Sequence, residues 1–180
     1  DAQFEIIHIS KAEFHHGRTR QLAVDRLSDY EFLIFLTQDA VPANPDAFDV
    51  ILQAFENENV SAVNGRQLPK VGSGAIEAHA RIYNYPQQSH LRTIGDVRRF
   101  GLKAAFLSNS FAAYRLNVLK SVGGFPENVI FGEDMYVATK MLKAGYKIAY
   151  AADACVYHSH NYSLMQEMKR YFDMGVFHAR

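Results

Sequence analysis

The 180-residue sequence has a single cysteine, no excess of charge and no long apolar run. Cys155 alone excludes an internal disulfide framework and a cysteine-rich metal site, and it is compatible with a reducing compartment. No run of about 18 or more apolar residues is present, and the first residues have neither a basic nor an apolar leader pattern. We therefore expect neither a membrane span nor a signal peptide in this segment, and a cytoplasmic location.

Charge is balanced, because 19 basic and 19 acidic side chains give a formal net charge of +0. No basic stripe interleaved with aromatic residues is present either, so the sequence predicts no nucleic-acid binding. Any anion binding must be local. Hydrophobic residues make up 48% of the chain, which is enough to fill a core, and the length fits one domain. We therefore expect a single domain over residues 1–180.

Strand-like and helix-like segments alternate along the chain. Strands are predicted at residues 4–9, 32–36, 60–64 and 146–151. Helices are predicted at residues 19–27, 47–55, 115–122, 133–143 and 164–177. This alternation predicts an α/β domain with a mostly parallel sheet and flanking helices. Residues 75–103 fit neither pattern.

Polar side chains follow two of the predicted strands, and ligands of open α/β sheets bind beyond the carboxyl ends of strands. Asp39 comes after the most hydrophobic strand, where a hard divalent cation bridging diphosphate oxygens would find a carboxylate. His158 and His160 alternate, so in an extended segment at most one of them would share a cation with Asp39. A turn aspartate and surface histidines are the alternative interpretation. Mg²⁺ or Mn²⁺ with a phosphate-bearing substrate fits better than a closed zinc site, which needs four ligands.

Two further segments carry candidate chemistry. Glu133 and Asp134 begin a predicted helix, where one carboxylate could accept a proton from a hydroxyl nucleophile while the other orients it or caps the helix. Acidic residues are also favoured there by the helix dipole alone. In the first helix, a glycine loop with His16 and Arg20 offers N–H groups, a cation and an imidazole to a diphosphate. An ordinary capped helix with solvent-facing basic residues is the alternative.

Taken in order, these elements resemble the inverting family-two glycosyltransferases of the GT-A fold, above all the rhamnosyltransferase-like bacterial members that assemble O-antigen and capsular polysaccharide. The resemblance covers residues 4–178. It rests on five segments: FHHGRTR at 14–20, FLTQDA at 35–40, VGGF at 122–125, FGED at 131–134 and VYHSHNYS at 156–163.

The resemblance implies a role for each metal-side and catalytic residue. In that family an Asp-x-Asp element coordinates Mg²⁺ or Mn²⁺ on the diphosphate of a sugar nucleotide. Here Thr37 replaces the first acid, which leaves Asp39 as the principal carboxylate ligand. Asp134 matches the catalytic base, with Glu133 in support. His158 matches the metal- or diphosphate-binding histidine, with His160 as the second choice.

The remaining matches concern the substrates. His16 and Arg20 correspond to the nucleotide-side motif, and Ser108, Asn109 and Ser110 fall where the family lines the donor-sugar or acceptor pocket. The family leads us to expect a dTDP- or UDP-sugar donor, such as a rhamnose-like deoxysugar, and a saccharide or polyprenyl-linked acceptor. It usually opens with a strand that holds the nucleotide base, and this chain begins after that strand. A fragment truncated at both ends is therefore expected.

A lipid-linked acceptor also implies peripheral contact with the inner face of the cell membrane. The last predicted helix could lie there, although an apolar stripe is more often core or interface. Two rival functions stay open. One is a non-catalytic domain that binds sugar nucleotides or glycans. The other is a metal-dependent nucleotidyltransferase, which would release pyrophosphate from a nucleoside triphosphate.

Overall fold

The computed structural model describes residues 5–127, 129, 131–160 and 162–178, and its elements alternate as the sequence predicts. Phe4 and Asn161, which belong to segments discussed above, lie outside the described residues. The helices are α1 (His16–Arg26), α2 (Ala47–Gln53), α3 (Ala75–Asn84), α4 (Val97–Phe100), α5 (Leu116–Ser121), α6 (Glu133–Lys143) and α7 (Leu164–His178). The strands are β1 (Phe32–Leu36), β2 (Val41–Pro42), β3 (Val60–Leu68), β4 (His90–Arg92), β5 (Phe111–Arg115) and β6 (Lys147–Tyr157).

These strands form one mixed sheet in the order β1-β5-β3-β6-β2, with β4 also paired to β6. The expectation of a mostly parallel sheet is wrong, because β3 and β6 are the parallel pair and the other described pairings are antiparallel. The long connection over residues 69–110 returns the chain as β5, which inserts between β1 and β3 and runs against both. Apolar periodicity marks a strand but carries no information on its direction.

Helices cover both faces of the sheet, as an α/β domain requires. On one face α1, α5 and α6 enclose a core that includes Val24, Leu119 and Met141. On the other face α2 supplies Ile51, which packs in a second core with strand residues such as Val63. Strand β3 is buried along most of its length because both of its faces are covered. The sheet is thereby a stiff support for the side chains that follow its strands.

Three strands point their carboxyl ends at the same edge of the sheet. Since β5 is antiparallel to both β1 and β3, those two strands share one direction, and β6 is parallel to β3. The amino end of β5 reaches that edge as well. Asp39, Asn109 and His158 follow or precede these strand ends, so the topology collects them at one edge.

The two ends of the described chain differ from the sequence predictions. Residues 5–9 form no strand, and Ile6 is 78% exposed, because no described strand pairs with this segment. The apolar stripe of α7 is not core, since the side chains of Leu164, Met168 and Phe172 are all exposed. None of the described helices combines the length and the apolar character needed to cross a bilayer.

Candidate active site

A cleft of about 590 Å³ opens between α1 and the ends of β1 and β5. Four of the residues singled out by sequence line it, two from α1, one from the β1 end and one from the start of β5: His16, Arg20, Asp39 and Asn109. Phe14 and Phe35 give the cleft an apolar wall. It therefore offers cationic, carboxylate and aromatic groups to one ligand, which is the composition of a small-molecule site.

Asp39 and both histidines of the last loop meet at the edge of the sheet. Asp39 Oδ2 lies 3.3 Å from His158 Nε2 and 3.3 Å from His160 Nδ1. The three candidate ligand atoms lie within 4.8 Å of one another, so one cation could contact all three. The prediction that at most one histidine reaches this point is wrong. Strand β6 ends at Tyr157, so the alternation of side chains that holds within a strand does not extend to the loop.

Electrostatics suit this cluster to a cation. Burial raises the pKa of Asp39, but the Thr37 side chain, the two imidazoles and backbone hydrogen bonding together more than offset that effect, so the pKa lies below its ordinary value. Burial and the nearby Arg81 charge lower the pKa of His158 to about 4. His158 is therefore neutral at pH 7, and its contact with Asp39 is not an ion pair. A metal ligand must offer an ionised carboxylate or a neutral imidazole, and both are present.

The acidic pair sits at the first turn of α6, as predicted. Gly132 precedes it at φ 78°, in the left-handed region, and this backbone turn aims Glu133 and Asp134 toward the start of β5. Asp134 Oδ2 accepts a hydrogen bond from the backbone N–H of Asn109 at 3.1 Å. Its Oδ1 accepts the N–H of Met135 at 2.8 Å. The carboxylate therefore has a fixed orientation beside a residue of the cleft.

Asn109 connects the acidic pair to the core. The Tyr114 hydroxyl donates to Asn109 Oδ1 at 2.6 Å, and Asn109 Nδ2 donates to Glu133 Oε1 at 3.2 Å. All three side chains are buried. The sequence predicted Asn109 in a substrate pocket, and it does line the cleft. Its side-chain amide is nevertheless hydrogen-bonded to Tyr114 and Glu133, and its backbone N–H to Asp134, so Asn109 holds the two carboxylates in place.

Asp134 differs from an ordinary carboxyl group in its acidity. Burial is the main cause and the adjacent Glu133 charge adds to it, so the pKa rises to about 7, although the two backbone N–H donors and Arg20 act in the opposite direction. A base with a pKa near the working pH combines the ionised form with useful proton affinity. Strongly shifted titratable groups are typical of functional sites, and Asp134, which does not itself line the cleft, is hydrogen-bonded to Asn109, which does.

Helix α1 brings Arg20 to the acidic pair, whereas the sequence predicted Arg20 as a cation for a diphosphate. Arg20 Nη1 lies 2.8 Å from Glu133 Oε1, so its charge is already paired. His16 lines the cleft beside it, with Nδ1 3.4 Å from Arg20 Nη1. No glycine loop opens the helix, because Gly17 is a buried residue of α1 itself. A Cβ at this position would overlap the carbonyl oxygen of Pro126, so the glycine serves close packing.

Ser108 lies beside the cleft and not in its lining. It accepts a hydrogen bond from Gln67 Nε2 at 3.0 Å, and Gln67 in turn contacts His158. Sequence reasoning missed Gln67, as well as Tyr114 and the Glu77–Arg81 pair of α3. Glutamine at the end of a strand and tyrosine within one give no pattern of their own, and α3 falls in the stretch that fits neither periodicity.

Solved structures with this fold define its class. The Staphylococcus aureus protein TarS, residues 1–349 in complex with UDP-GlcNAc, matches with a TM-score of 0.59 and 18% identity, over 83% of this chain and 40% of that one. The mannosyltransferase PcManGT from Pyrobaculum calidifontis, in complex with GDP-Man and Mn²⁺, matches with a TM-score of 0.56 and 19% identity, over 79% of this chain and 36% of that one. The fold is that of the GT-A glycosyltransferases.

Within that class the sequence gives a narrower assignment. Residues 11–172 match the model of the family described as "Glycosyltransferase like family 2", and the chain belongs to this family. It is 50% identical over 174 residues to the O-antigen chain rhamnosyltransferase WbaN of Salmonella anatum, a match that covers 97% of this chain and 55% of WbaN. The chain thus spans about half the length of the curated relatives it matches.

Proposed function

We propose that the protein to which this domain belongs is a metal-dependent inverting glycosyltransferase that moves a sugar from a nucleotide-diphosphate donor to a hydroxyl of a saccharide. The observation that carries the proposal is that two carboxylates in unlike surroundings are held at the same edge of the sheet. Asp39 stays ionised beside two imidazoles, and Asp134, with a pKa of about 7, is tied to the cleft through Asn109. Residues 1–180 belong to the transferase domain of that protein.

The donor set of the Asp39 cluster fits a divalent cation. One carboxylate oxygen and two imidazole nitrogens lie within 4.8 Å of one another. Mn²⁺ accepts such a mixed set more readily than Mg²⁺, which prefers oxygen ligands and keeps several waters. Asp39 and His158 would hold the ion, with His160 as a third ligand. When bound, the ion supplies positive charge that stabilises the departing diphosphate.

The residues of the cleft then have separable roles. His16 and Arg20 line the side on which the nucleotide diphosphate would lie, and Phe14 offers an apolar surface. The acceptor oxygen forms a bond with the anomeric carbon as the bond from that carbon to the diphosphate oxygen breaks. The bonding pair leaves with the nucleoside diphosphate, and Asp134 takes the acceptor proton. Attack from the side opposite the leaving group inverts the anomeric centre.

The substrate class follows from the relatives. GDP-Man and UDP-GlcNAc are bound in the two solved structures, which supports a nucleotide-sugar donor. The 50% identity to an O-antigen chain rhamnosyltransferase favours a dTDP- or UDP-linked deoxysugar such as rhamnose, and a saccharide or polyprenyl-linked acceptor in cell-surface polysaccharide synthesis. A polyprenyl-linked acceptor would bring the protein to the cytoplasmic face of the cell membrane.

Nucleoside diphosphate release by the full-length protein tests the proposal. It is measured with dTDP-, UDP- and GDP-sugars, with and without Mn²⁺, in the presence of a lipid-linked saccharide acceptor. We expect release from one donor class, dependent on Mn²⁺ and lost in Asp39→Ala. Donor binding without release would favour a non-catalytic binding domain. Pyrophosphate release from a nucleoside triphosphate would favour a nucleotidyltransferase.

A further inference from the structure

A buried chain of polar side chains runs from α3 to the metal-side histidine. Arg81 Nε donates to Glu77 Oε1 at 2.7 Å, and Arg81 Nη1 donates to Gln67 Oε1 at 2.6 Å. The same Gln67 oxygen lies 2.8 Å from His158 Nδ1. All four side chains are buried, with Gln67 2% and His158 4% exposed. None of the relay residues Glu77, Arg81 and Gln67 lines the cleft.

The chemistry of these groups fixes which atoms carry protons. A guanidinium has only donors, so the Gln67 atom that faces Arg81 must be the amide oxygen. That oxygen can only accept, so His158 Nδ1, which shares it, must be the donor. The other end of the amide agrees with this orientation, because Gln67 Nε2 donates to the Ser108 hydroxyl oxygen at 3.0 Å.

A metal-bound imidazole is neutral and carries one ring proton. With that proton on Nδ1, the lone pair of His158 is on Nε2, and Nε2 is the atom that lies 3.3 Å from Asp39 Oδ2. Two acceptors that face each other repel unless a cation lies between them. The hydrogen bond made by one ring nitrogen commonly decides whether the other is free to bind metal.

We propose that Glu77, Arg81 and Gln67 are positioning residues that hold His158 as the Nδ1–H tautomer, so that Nε2 is presented with Asp39 to a divalent cation. This inference rests on the proposed function insofar as it takes His158 for a metal ligand. Glu77 also balances the charge of Arg81. The Arg81 charge by itself would oppose a nearby cation, and the buried Glu77 carboxylate offsets it.

The tautomer can be measured directly in the wild-type protein. Long-range ¹H–¹⁵N NMR spectra of the imidazole rings, recorded without metal at mildly alkaline pH, distinguish a protonated Nδ1 from a protonated Nε2. We expect His158 with the proton on Nδ1. In Gln67→Met, which keeps the side-chain length but has no acceptor, the resonances should move toward the Nε2–H form. Gln67→Glu keeps an acceptor oxygen and should retain the wild-type pattern.

Metal affinity gives a second readout. Free Mn²⁺ counted by electron paramagnetic resonance should show affinity weakened about 10–100-fold in Gln67→Met, the usual effect of losing such a supporting contact. Gln67→Glu should bind within a few-fold of wild type. Gln53→Met makes the same chemical change at the exposed end of α2 and should leave the affinity unchanged.

A wild-type His158 with its proton on Nε2, or a folded Gln67→Met protein with wild-type Mn²⁺ affinity, would overturn the relay. The wild-type spectrum needs no variant, so the test survives if Gln67→Met fails to fold. It also needs neither metal nor transfer. If the protein proves not to be a glycosyltransferase, the measured tautomer still tests the relay. If the enzyme is active but His158 carries its proton on Nε2, the relay is wrong and the glycosyltransferase proposal stands.

Discussion

Two carboxylates at the same edge of the sheet are treated in opposite ways by their surroundings. Asp39 is partly exposed and lies among hydrogen-bond donors and imidazoles, and its pKa is lowered. Asp134 is held beside another carboxylate, and burial raises its pKa to about 7. Burial raises the pKa of both carboxyls, but hydrogen bonds and imidazoles outweigh it at Asp39, whereas the deeper burial of Asp134 and the adjacent Glu133 charge outweigh its hydrogen bonds.

This contrast is the basis for proposing Asp39 as a metal ligand and Asp134 as a base. A carboxylate that stays ionised over the whole working range can hold a cation and never needs to exchange a proton. A carboxyl with a pKa near 7 exchanges its proton easily but would be a pH-dependent metal ligand. Environments that push two titratable groups apart are the usual sign of divided roles in one site. The proposed assignment of Asp39 to metal binding and Asp134 to proton transfer therefore rests on the surroundings of each residue and not on residue type.

Substitution of the base should produce the largest effect and tests the division most directly. Asp134→Asn removes the proton acceptor, and we expect transfer to fall roughly 10²–10⁴-fold. Mn²⁺ affinity should stay at the wild-type value, because the Asp39 cluster is untouched. Asp39→Asn should show the opposite pattern, with weakened Mn²⁺ and donor binding. Equal loss of metal binding in both variants would collapse the distinction.

The pH dependence should differ between the two carboxylates as well. Asp134 acts as the anion, so the transfer rate should fall roughly tenfold per pH unit below about 7. The pKa of Asp39 is lowered, so Asp39 itself stays ionised over this range. In folding, the raised pKa means that the native state holds a proton the unfolded state has lost. The contribution of Asp134 to the free energy of unfolding therefore decreases as pH rises and levels off above about 7.

Glu133→Gln serves as the comparison for that profile. The Glu133 charge helps to raise the pKa of Asp134, so its removal should move the acidic limb of the rate profile to lower pH. If the acidic limb of the rate profile stays at the same pH in Glu133→Gln but disappears in Asp134→Asn, burial alone raises the pKa of Asp134. If Asp134→Asn keeps an acidic limb at the wild-type pH, that limb reports the titration of another group.

Much of the fold could be predicted because its elements are locally encoded. Strand β1 and helix α6 have the predicted bounds, although only Leu33 of β1 is buried. Strand direction could not be predicted. The insertion of β5 between β1 and β3 depends on a connection of some forty residues whose helices and short strand are weakly periodic. Residues 5–9 have strand propensity, but propensity without a partner strand forms no ladder.

The residues of the candidate site also differ in how far the sequence predicts them. Asp39 follows a locally encoded strand and Asp134 begins a locally encoded helix, so sequence patterns find them, whereas Asn109 was predicted from the family resemblance alone. The partners that tune them follow no spacing rule. Tyr114 lies within a strand only five residues after Asn109, whereas Gln67 and Arg81 reach His158 from distant sequence. The pairing of both His158 and His160 with Asp39 also needed the loop geometry, because the strand rule assigned them to opposite sides.

Backbone strain at the start of α6 offers a smaller test of how the base is held. Gly132 has φ 78°, so Gly132→Ala should cost about 1–2 kcal/mol of stability and should lower transfer by misplacing Asp134. Mn²⁺ affinity should not change. Gly175→Ala in α7 meets open space and should be neutral or slightly stabilising. Denaturant midpoints measure both, and a neutral Gly132→Ala would mean that the turn is not needed to place the acidic pair.

The smallest expected effect on transfer comes from Tyr114→Phe, which removes one buried hydroxyl and no charge. Without that donor, Asn109 Oδ1 loses its 2.6 Å hydrogen bond, and the stability cost should be about 1–3 kcal/mol because a buried acceptor is left unpaired. Asn109 should then hold Asp134 less firmly, so kcat should fall several-fold while KM for the donor and Mn²⁺ affinity stay near wild type. Phe125→Leu, which alters a neighbouring ring of the same aromatic cluster outside the cleft lining, is the control for packing. An equal fall in kcat for both variants would mean that Tyr114 acts through packing and that the base does not depend on its hydroxyl.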